Sequence, residues 1–361
     1  MTWLMYGQMT GWTRNFACEE TICEVGRPKV WDRFRQGRTM GNAIRISDAE
    51  IAQALTAEDF VASCHEAFRL YGLGEMQNPA RWETVRREGE TDVFRLELPA
   101  EWPGRYRARK VIEERSDVAT GRLGERTAVI ELEDMRSGRL AVLDAEQITN
   151  MRTGAAGALG ARYLGPKAVR AVAILGTGRI ARALALCSDC ALCPVEIRAT
   201  SRTAANRRAF ERAVGHRVRA EVWTTDSVAA CVDGADAVFA AVPTPTPVLG
   251  LGDLAADVHL SVIGGDPRTV QVDLDVLCAR QVVVDHPDQA RRSGDFRVAD
   301  ELGRYEAIGF ARDAAGRVMT VGDAALGRLE RLRGKGAVSY FTGMAVQDLH
   351  AAAMVWERMF G

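Results

Sequence analysis

One stretch, residues 169–185 with the sequence VRAVAILGTGRIARALA, most constrains how this chain can fold. A short apolar run leads into Gly176-Thr177-Gly178, and a helical pattern follows, with Ala181 completing a G-x-G-x-x-A motif. In this motif the first glycine permits a tight turn, the second lets the backbone approach a pyrophosphate, and the third small residue allows close helix packing. Glycine also serves in turns that bind no ligand, but the flanking strand and helix patterns favour a dinucleotide-binding unit.

The segments after this motif alternate between strand and helix patterns. The expected strands are 195–200, 218–223, 237–242, 259–263 and 282–285. Together with the strand at 171–175 they predict a doubly wound parallel sheet of about six strands, with a ligand at the carboxyl ends of the strands. Before the motif, two capped helices and five short strands between Trp82 and Leu143 indicate a separate α+β domain. A helix rich in Ala and Gly, residues 145–164, follows that domain.

The composition is that of an ordinary globular protein, with 47% hydrophobic and 26% charged residues and a net charge of -1 over 361 residues. A nearly neutral chain has no general field that attracts nucleic acid or an anionic membrane, so we expect neither as a partner. No apolar run approaches the ~20 residues of a membrane span. The first residues lack the basic and apolar regions of a signal peptide, so we expect a cytoplasmic protein.

Three of the eight cysteines, Cys187, Cys190 and Cys193, form a C-x-x-C-x-x-C run. Part of an iron–sulfur motif has this spacing, but no fourth cysteine follows at a suitable distance. We interpret the three as small apolar residues at the end of a helix, reduced in the cytoplasm, and expect no metal site.

Several short motifs occur in a characteristic order. They are Asn78-Pro79-Ala80-Arg81, Pro99-Ala100, Lys110, Met151-Arg152-Thr153-Gly154-Ala155-Ala156, the glycine motif, Gly264-Gly265-Asp266, Asp285-x-x-x-Gln289 and Thr342-Gly343-x-x-x-Gln347-Asp348. With these motifs the chain resembles the ornithine cyclodeaminase/mu-crystallin family over roughly residues 45–361. That family contains cyclodeaminases, ketimine reductases, alanine dehydrogenases and related imino-acid reductases.

The resemblance implies an α/β protein of two domains. A Rossmann-type doubly wound parallel-sheet domain, residues 149–324, would be inserted in an α+β substrate-binding and dimerisation domain, residues 46–148 plus 325–361. The family's usual assembly is a homodimer, and we expect one here. Residues 1–45 show no clean periodicity and are expected to be an N-terminal extension of uncertain order.

The resemblance also implies the roles of four residues. Arg81 and Arg152 match the family's carboxylate-binding arginines, and planar guanidinium groups suit bidentate binding of a carboxylate. Lys110 matches the active-site lysine, which can hydrogen-bond the substrate carboxylate or transfer a proton to an imine. Asp266 matches the catalytic aspartate beside the nicotinamide, where a carboxylate can relay protons or hold a water. The alternatives are structural: ion-paired arginines, a solvent-facing lysine and a turn-capping aspartate.

The end of the second strand of the dinucleotide unit predicts the cofactor. NAD-selective domains place an acidic residue there to bind the ribose 2′-hydroxyl. Here the strand ends in Ser201-Arg202-Thr203, and Glu196 lies too early to reach the ribose. Because an arginine with two hydroxyl neighbours suits a 2′-phosphate, we expect NADP(H) to be preferred, with NAD(H) possible. The expected cofactor-binding residues are Gly176, Thr177, Gly178, Arg179, Ile180, Ser201, Arg202, Thr203, Val242, Thr244, Thr246 and Gly264.

These features predict an NAD(P)-dependent oxidoreductase that interconverts a small imino acid and an amino acid, with hydride passing between the nicotinamide C4 and the substrate Cα. One alternative is a cyclodeaminase, in which bound NAD+ oxidises a diamino acid and ammonia is released. The family's cyclodeaminases carry a glutamate where this chain aligns Leu96, and Glu97 fits only after a one-residue shift. The family's fingerprint also commonly has Gln where Ile180 stands. A second alternative is a non-catalytic NADPH-binding protein.

Overall fold

The structure is a computed structural model that describes residues 43–361 with the exception of Gly121. Of the predicted N-terminal extension, residues 1–42 lie outside the described residues, as do Cys18 and Cys23. Ile44 and Arg45, which the prediction assigned to the extension, already belong to the first strand. Residues 43–361 form one compact unit.

The first half of the described chain forms a six-stranded sheet. Its strands are β1 (Ile44–Ile46), β2 (Trp82–Glu88), β3 (Thr91–Trp102), β4 (Tyr106–Asp117), β5 (Leu123–Asp134) and β6 (Leu140–Asp144). Their order across the sheet is β1-β6-β5-β4-β3-β2, and only the β1–β6 pair is parallel. Strands β2 to β6 correspond to the five strands predicted for the α+β domain, whereas β1 was not predicted.

Strand β3 continues through Pro99, a residue at which the sequence pattern predicts that a strand ends. Proline has no N–H for a sheet hydrogen bond and is tolerated at sheet edges. Strand β2 pairs with β3 only as far as Glu97, while β4 continues to pair with it and places Arg109 opposite Pro99. Pro99 therefore lies where one side of β3 is an edge.

Strand alternation gives the two faces of this sheet different chemistry. Lys110 lies between Leu98 and Ile130 in the register and shares their face, which packs against helices. Arg109 points to the opposite face, where it is hydrogen-bonded to Glu97 and Glu131. Because neighbouring residues of a strand face opposite sides, Lys110 is the cation directed toward the helices.

The second half forms a sheet in which every pair of strands is parallel. Its strands are β7 (Ala171–Leu175), β8 (Glu196–Thr200), β9 (Glu221–Thr225), β10 (Ala237–Ala240), β11 (His259–Ile263), β12 (Val282–Val284) and β13 (Val338–Phe341). The order is β12-β13-β11-β10-β7-β8-β9, which reverses direction between β7 and β10. The doubly wound α/β fold class is thus confirmed, and the reversal creates a crevice at the carboxyl ends of β7 and β10.

This sheet has seven strands where the sequence predicted about six. The strand that was missed, β13, is only four residues long and follows a segment with Gly334 and Gly336. It pairs with β11 and β12 inside the parallel sheet. The predicted boundary at residues 324/325 therefore separates β13 from the sheet to which it is hydrogen-bonded.

The helices cover both sheets. They are α1 (Asp48–Ala54), α2 (Ala57–Gly72), α3 (Glu146–Leu164), α4 (Arg179–Leu192), α5 (Ala204–Val214), α6 (Val228–Val232), α7 (Leu274–Ala279), α8 (Pro287–Ala290), α9 (Gly294–Glu301), α10 (Val321–Ala325) and α11 (Ala345–Phe360). Among the helices of residues 43–361, none combines the length and apolar character needed to cross a membrane.

Helix α3 lies between the two sheets and owes its close packing to glycine. A Cβ on Gly154 would lie 2.6 Å from the carbonyl oxygen of Ala183 in α4, and one on Gly160 would lie 2.8 Å from Ser261 Oγ in β11. Both distances are too short for a real side chain, so these positions must stay small. The predicted close packing of this helix fixes the position of its polar residues relative to both sheets.

Candidate active site

Lys110 lies in the middle of β4 and is buried, with 3% of its side chain exposed. Its Nζ donates hydrogen bonds to Thr149 Oγ1 at 2.6 Å and to Asp348 Oδ1 at 3.1 Å. Burial lowers the pKa of Lys110 from its usual 10.5 to about 8, although the nearby Asp348 carboxylate opposes that change. A lysine with such a pKa can both carry a positive charge and release a proton near neutral pH.

Arg152, one turn along α3 from Thr149, contacts the same carboxylate. Its Nε donates to Asp348 Oδ1 at 3.3 Å, so one oxygen accepts hydrogen bonds from both cations. The other oxygen, Oδ2, is buried and has no hydrogen-bond partner within the described residues. A buried guanidinium needs an anion, and for Arg152 that anion is Asp348, within the protein.

Backbone geometry brings the Arg152 guanidinium close to the turn between β13 and α11. Gly343 has a φ of +85°, and a Cβ there would lie 2.8 Å from Arg152 Nη1. The turn is held by Asp285, which accepts hydrogen bonds at 2.8 Å from the amides of Thr342 and Gly343. Burial raises the pKa of Asp285, while these hydrogen bonds favour its ionised form. This turn fixes the backbone beside the guanidinium.

Arg81 lies just before β2, with 14% of its side chain exposed, and its Nε is 3.1 Å from Glu83 Oε1 without hydrogen-bond geometry. Asn78 ties this segment to the first turn of α11 by accepting a hydrogen bond from the amide of Val346. The Asn78 Nδ2 and Arg81 Nε atoms are buried and lack partners within the described residues. Arg81 makes no hydrogen bond to the Lys110–Arg152–Asp348 group in the described structure, so its role stays a prediction.

Asp266 follows β11 at the carboxyl edge of the parallel sheet, as expected, but it is not buried. Its side chain is 39% exposed and accepts three hydrogen bonds from Arg268, two from the guanidinium at 2.8 and 3.0 Å and one from the backbone amide at 2.8 Å. The hydrogen bond from Arg268 lowers the pKa of Asp266. Here, therefore, the carboxylate is ionised and can accept a proton or orient a water.

The glycine motif lies at the end of β7, where the strand order reverses. Gly176 has a φ of +119°, and a Cβ would lie 2.7 Å from the Ala241 carbonyl oxygen at the end of β10. Gly178 caps α4, where a Cβ would meet nothing within 4 Å, and the helix has no side-chain cap. Open space and free amides at a helix N-terminus suit a pyrophosphate, so these residues fit a dinucleotide.

The other predicted cofactor residues surround this crevice. Ser201 Oγ at the end of β8 is buried without a hydrogen-bond partner in the described structure, and the next residue, Arg202, is exposed and forms no ion pair there. Thr203 caps α5 with its hydroxyl. These three side chains lie at the strand end where a dinucleotide fold binds the adenosine ribose.

The remaining members of the set are held by the fold in different ways. Arg179 is paired with Glu146 at 2.6 Å, and Thr244 Oγ1 donates to the Thr246 carbonyl. The Val242 amide donates to Gln271, Gly264 packs against the Tyr340 ring, Thr177 is buried and Ile180 is half-buried.

Comparison with known proteins identifies the family. The sequence model of the ornithine cyclodeaminase/mu-crystallin family matches residues 42–361. The chain belongs to this family. The alanine dehydrogenase of Archaeoglobus fulgidus is 27% identical over 321 residues, 86% of this chain and 94% of that protein. Members of the family are NAD(P)-dependent dehydrogenases, imino-acid reductases and cyclodeaminases, so the chain is an enzyme of this group.

Two solved structures share the fold. An archaeal alanine dehydrogenase dimer with bound NAD superimposes with a TM-score of 0.72 at 24% identity, covering 88% of this chain and 95% of that one. The Δ(1)-pyrroline-2-carboxylate reductase of Thermococcus litoralis, in complex with NADH and L-proline, gives 0.74 at 20% identity, covering 87% and 97%. At these identities the likeness establishes the fold of this family member.

The glutamate that marks the family's cyclodeaminases has no counterpart on the active face. Leu96 pairs with Ile112 in the register and therefore lies on the same face as Lys110. Glu97 points to the other face, where it accepts a hydrogen bond from Arg109 at 2.9 Å. A one-residue shift would be needed to bring Glu97 to the active face, and a shift of one residue reverses every side chain of a strand.

Sequence reasoning assigned no role to Thr149, Asp285 or Asp348. Asp285 and Asp348 were visible only as letters of family motifs. A carboxylate among the buried apolar positions of α11 is a usable signal, because an unpaired buried charge is costly and implies a partner.

The cysteine run lies at the end of α4, as interpreted. Cys187 is buried, and burial raises the pKa of its thiol well above the usual range. Cys193 ends the helix in a left-handed conformation, with a φ of +52°. Within residues 43–361, no group of three or more His, Cys, Asp or Glu residues comes together as a metal site.

Proposed function

We propose that the protein is an NAD(P)-dependent oxidoreductase that reduces a ketimine of a small imino acid to the amino acid, or catalyses the reverse. The observation that carries this proposal is the charge of the buried cluster. Lys110 and Arg152 share a single oxygen of Asp348, so two cations face one anion. A net positive charge beside a dinucleotide crevice suits a substrate that carries a carboxylate.

Each residue then has a chemical task. Lys110 and Arg152 bind the substrate carboxylate, with Arg81 as a further guanidinium group from the neighbouring segment. Imine reduction adds a hydride to carbon and a proton to nitrogen, and the nicotinamide supplies the hydride when it is bound. Lys110 supplies the proton, directly or through a water that the ionised Asp266 orients, and in the reverse direction Asp266 can accept a proton. The backbone at Gly176 and Gly178 holds the pyrophosphate.

One observation favours a reductase over a cyclodeaminase: Glu97 lies on the face of β3 opposite Lys110, where it is bonded to Arg109. Loss of ammonia from a diamino acid requires a group near the second amine, and Leu96 is apolar. In support, the Thermococcus litoralis relative is a reductase bound to NADH and L-proline.

The decisive experiment is an absorbance screen at 340 nm. The protein is mixed with NADH or NADPH and with cyclic imines, or with pyruvate or glyoxylate plus an amine. Oxidation of the cofactor with an imino acid supports the proposal. Ammonia released from ornithine or lysine without added reductant would select the cyclodeaminase. Cofactor binding without turnover of any substrate would select the non-catalytic alternative.

We propose NADPH as the preferred cofactor, with NADH accepted less well. Ser201 and Arg202 support this, since one offers an unpartnered buried hydroxyl and the other an exposed guanidinium at the end of β8. Titration of the protein with each cofactor, followed by the change in nicotinamide fluorescence, compares the two affinities.

We also propose a homodimer that forms through the six-stranded sheet. A solved relative is described as a dimer, and the resemblance to the family assigns the dimer interface to this sheet. Light scattering at micromolar concentration gives the mass directly, and a monomer would contradict this proposal. The cytoplasmic location stays a prediction.

A further inference from the structure

Asp348 is the point at which three elements of the active site meet. Lys110 comes from β4, Arg152 from α3 and Asp348 from α11, and the residues are separated by up to 238 positions in sequence. The Asp348 side chain is 2% exposed, so water does not screen these contacts. Thr149 completes the set by accepting the second hydrogen bond of Lys110.

The two cations would repel each other without this carboxylate. The positive charge of Arg152 lowers the pKa of Lys110, as does the more distant Arg126 of β5, and burial lowers it further. Asp348 is the carboxylate that acts in the opposite direction, through its charge and its hydrogen bond. Within the described residues, its contact with Lys110 is the ion pair that this lysine forms.

We propose that Asp348 is a positioning residue that keeps Lys110 protonated and aims Lys110 and Arg152 at one substrate carboxylate. This inference rests on the proposed function, because it concerns the same substrate site. Asp348 acts through the two cations, and its Oδ1 atom is occupied by them. Charge is the essential property, so an amide of the same shape should not replace it.

The first test compares the pH profiles of kcat/KM for the wild type and Asp348→Asn. The basic limb of the wild-type profile should follow Lys110, near pH 8. Loss of a neighbouring opposite charge shifts a pKa by about 1–3 units, so this limb should move to lower pH by about that amount. At pH values below the shifted limb the variant should recover much of its kcat/KM, because Lys110 is then protonated in both proteins.

Asp323→Asn is the matched control. Asp323 is also a buried carboxylate that holds two cations, Arg317 and Arg328, but it lies outside the cluster. Its substitution should lower the melting temperature without moving the pH profile. A profile that moves equally in both variants would overturn the proposal, as would an unmoved profile in Asp348→Asn.

A second test needs no substrate and therefore separates this inference from the proposed function. Lys110 has a pKa of about 8 in the folded protein and an ordinary value of 10.5, so the folded state holds fewer protons between these values. Its contribution therefore raises the free energy of unfolding as pH rises from about 8 to 10.5. In Asp348→Asn the folded pKa is lower still, by about 1–3 units, so the rise should begin between about pH 5 and 7.

The measurement is denaturant unfolding of both proteins at several values between about pH 5 and 8. The stability difference between wild type and Asp348→Asn should shrink as the pH rises through this range. In a Lys110→Met background the same comparison should be independent of pH. A difference that stays constant with Lys110 present would overturn the inference, even if the protein reduces imino acids. If the stability difference shrinks as expected but the protein reduces no imino acid, the interaction between Asp348 and Lys110 is supported and the proposed function is contradicted.

Discussion

The two halves of the proposed active site differ in what the residues contribute: backbone in one half and charged side chains in the other. At the dinucleotide crevice, Gly176 and Gly178 contribute backbone, and the important property is the absence of a Cβ. In the substrate cluster, Lys110, Arg152 and Asp348 contribute buried charges that come together from three elements. A change of shape should therefore damage the first half, and a change of charge the second. Substitutions that change the shape of one half or the charge of the other can test this difference between them.

The largest effect is expected at Asp266, which breaks the simple division because it lies at the parallel sheet yet acts through its charge. Asp266→Asn should abolish turnover, since loss of a proton relay costs about 10²–10⁴-fold in rate. Cofactor affinity should be nearly unchanged, because the family resemblance places this residue beside the nicotinamide ring rather than the pyrophosphate. Steady-state kinetics and a fluorescence titration with NADPH measure the two properties. Activity within a few-fold of wild type would remove Asp266 from the mechanism.

The next effect concerns the substrate cluster. Lys110→Ala and Arg152→Ala should each lower kcat/KM, because a hydrogen bond to a charged group is worth about 1.5–3 kcal/mol, or roughly 10- to 150-fold. Arg328→Ala, which removes a cation from Asp323 outside the cluster, serves as the control. If both cluster variants turn over substrate normally while the control does too, the carboxylate pocket lies elsewhere.

The same division explains what the sequence could predict. The glycine motif is local: strand, turn and helix adjoin in the chain, so residues 169–185 are enough to predict the crevice. The strand at His259–Ile263 was likewise predicted with its observed limits, because the segment runs directly into Gly264-Gly265, which mark its end. A site formed by the backbone of consecutive residues can therefore be predicted from a short stretch of sequence.

The substrate cluster is different, because its members are distant in the chain. Lys110 and Asp348 are 238 residues apart, and no periodicity in either segment points to the other. The resemblance to the family identified Lys110 and Arg152, but it gave Asp348 no role. The contact depends on the register of β4 and on the angle at which α11 crosses the sheet. Both are set by tertiary packing, which a single sequence does not contain. The Arg268 partner of Asp266 was also missed, although it is only two residues away, because the sequence alone does not give the turn that brings the two side chains together.

A pair of glycine variants sharpens the comparison within the crevice. Gly176→Ala puts a Cβ at a positive φ and 2.7 Å from the Ala241 carbonyl oxygen, so it should lower the free energy of unfolding by at least about 1–3 kcal/mol. Gly178→Ala meets open space, so its stability should be close to that of wild type. Its extra methyl group should nevertheless obstruct the pyrophosphate and weaken cofactor binding. Denaturant unfolding should therefore show the larger loss of stability in Gly176→Ala, and cofactor titration should show weakened binding in Gly178→Ala despite its nearly unchanged stability. Equal stability of the two variants would contradict the packing argument.

The smallest effect is expected at Arg202, where charge acts at the edge of the backbone-built crevice. Arg202 is exposed and forms no ion pair within the described residues, so its guanidinium is available to a 2′-phosphate without breaking another contact. Exposed ion pairs are weak, so Arg202→Ala should raise the KM for NADPH by only roughly threefold to tenfold. The KM for NADH should change little, because a ribose 2′-hydroxyl carries no charge for the arginine to bind. Arg208→Ala, an exposed arginine on the following helix, controls for the general loss of positive charge. A difference between the cofactors that disappears at high salt would be consistent with a screened contact. Equal changes in both KM values, or tight binding of NADH with none of NADPH in the wild type, would show that the end of β8 selects the cofactor in another way.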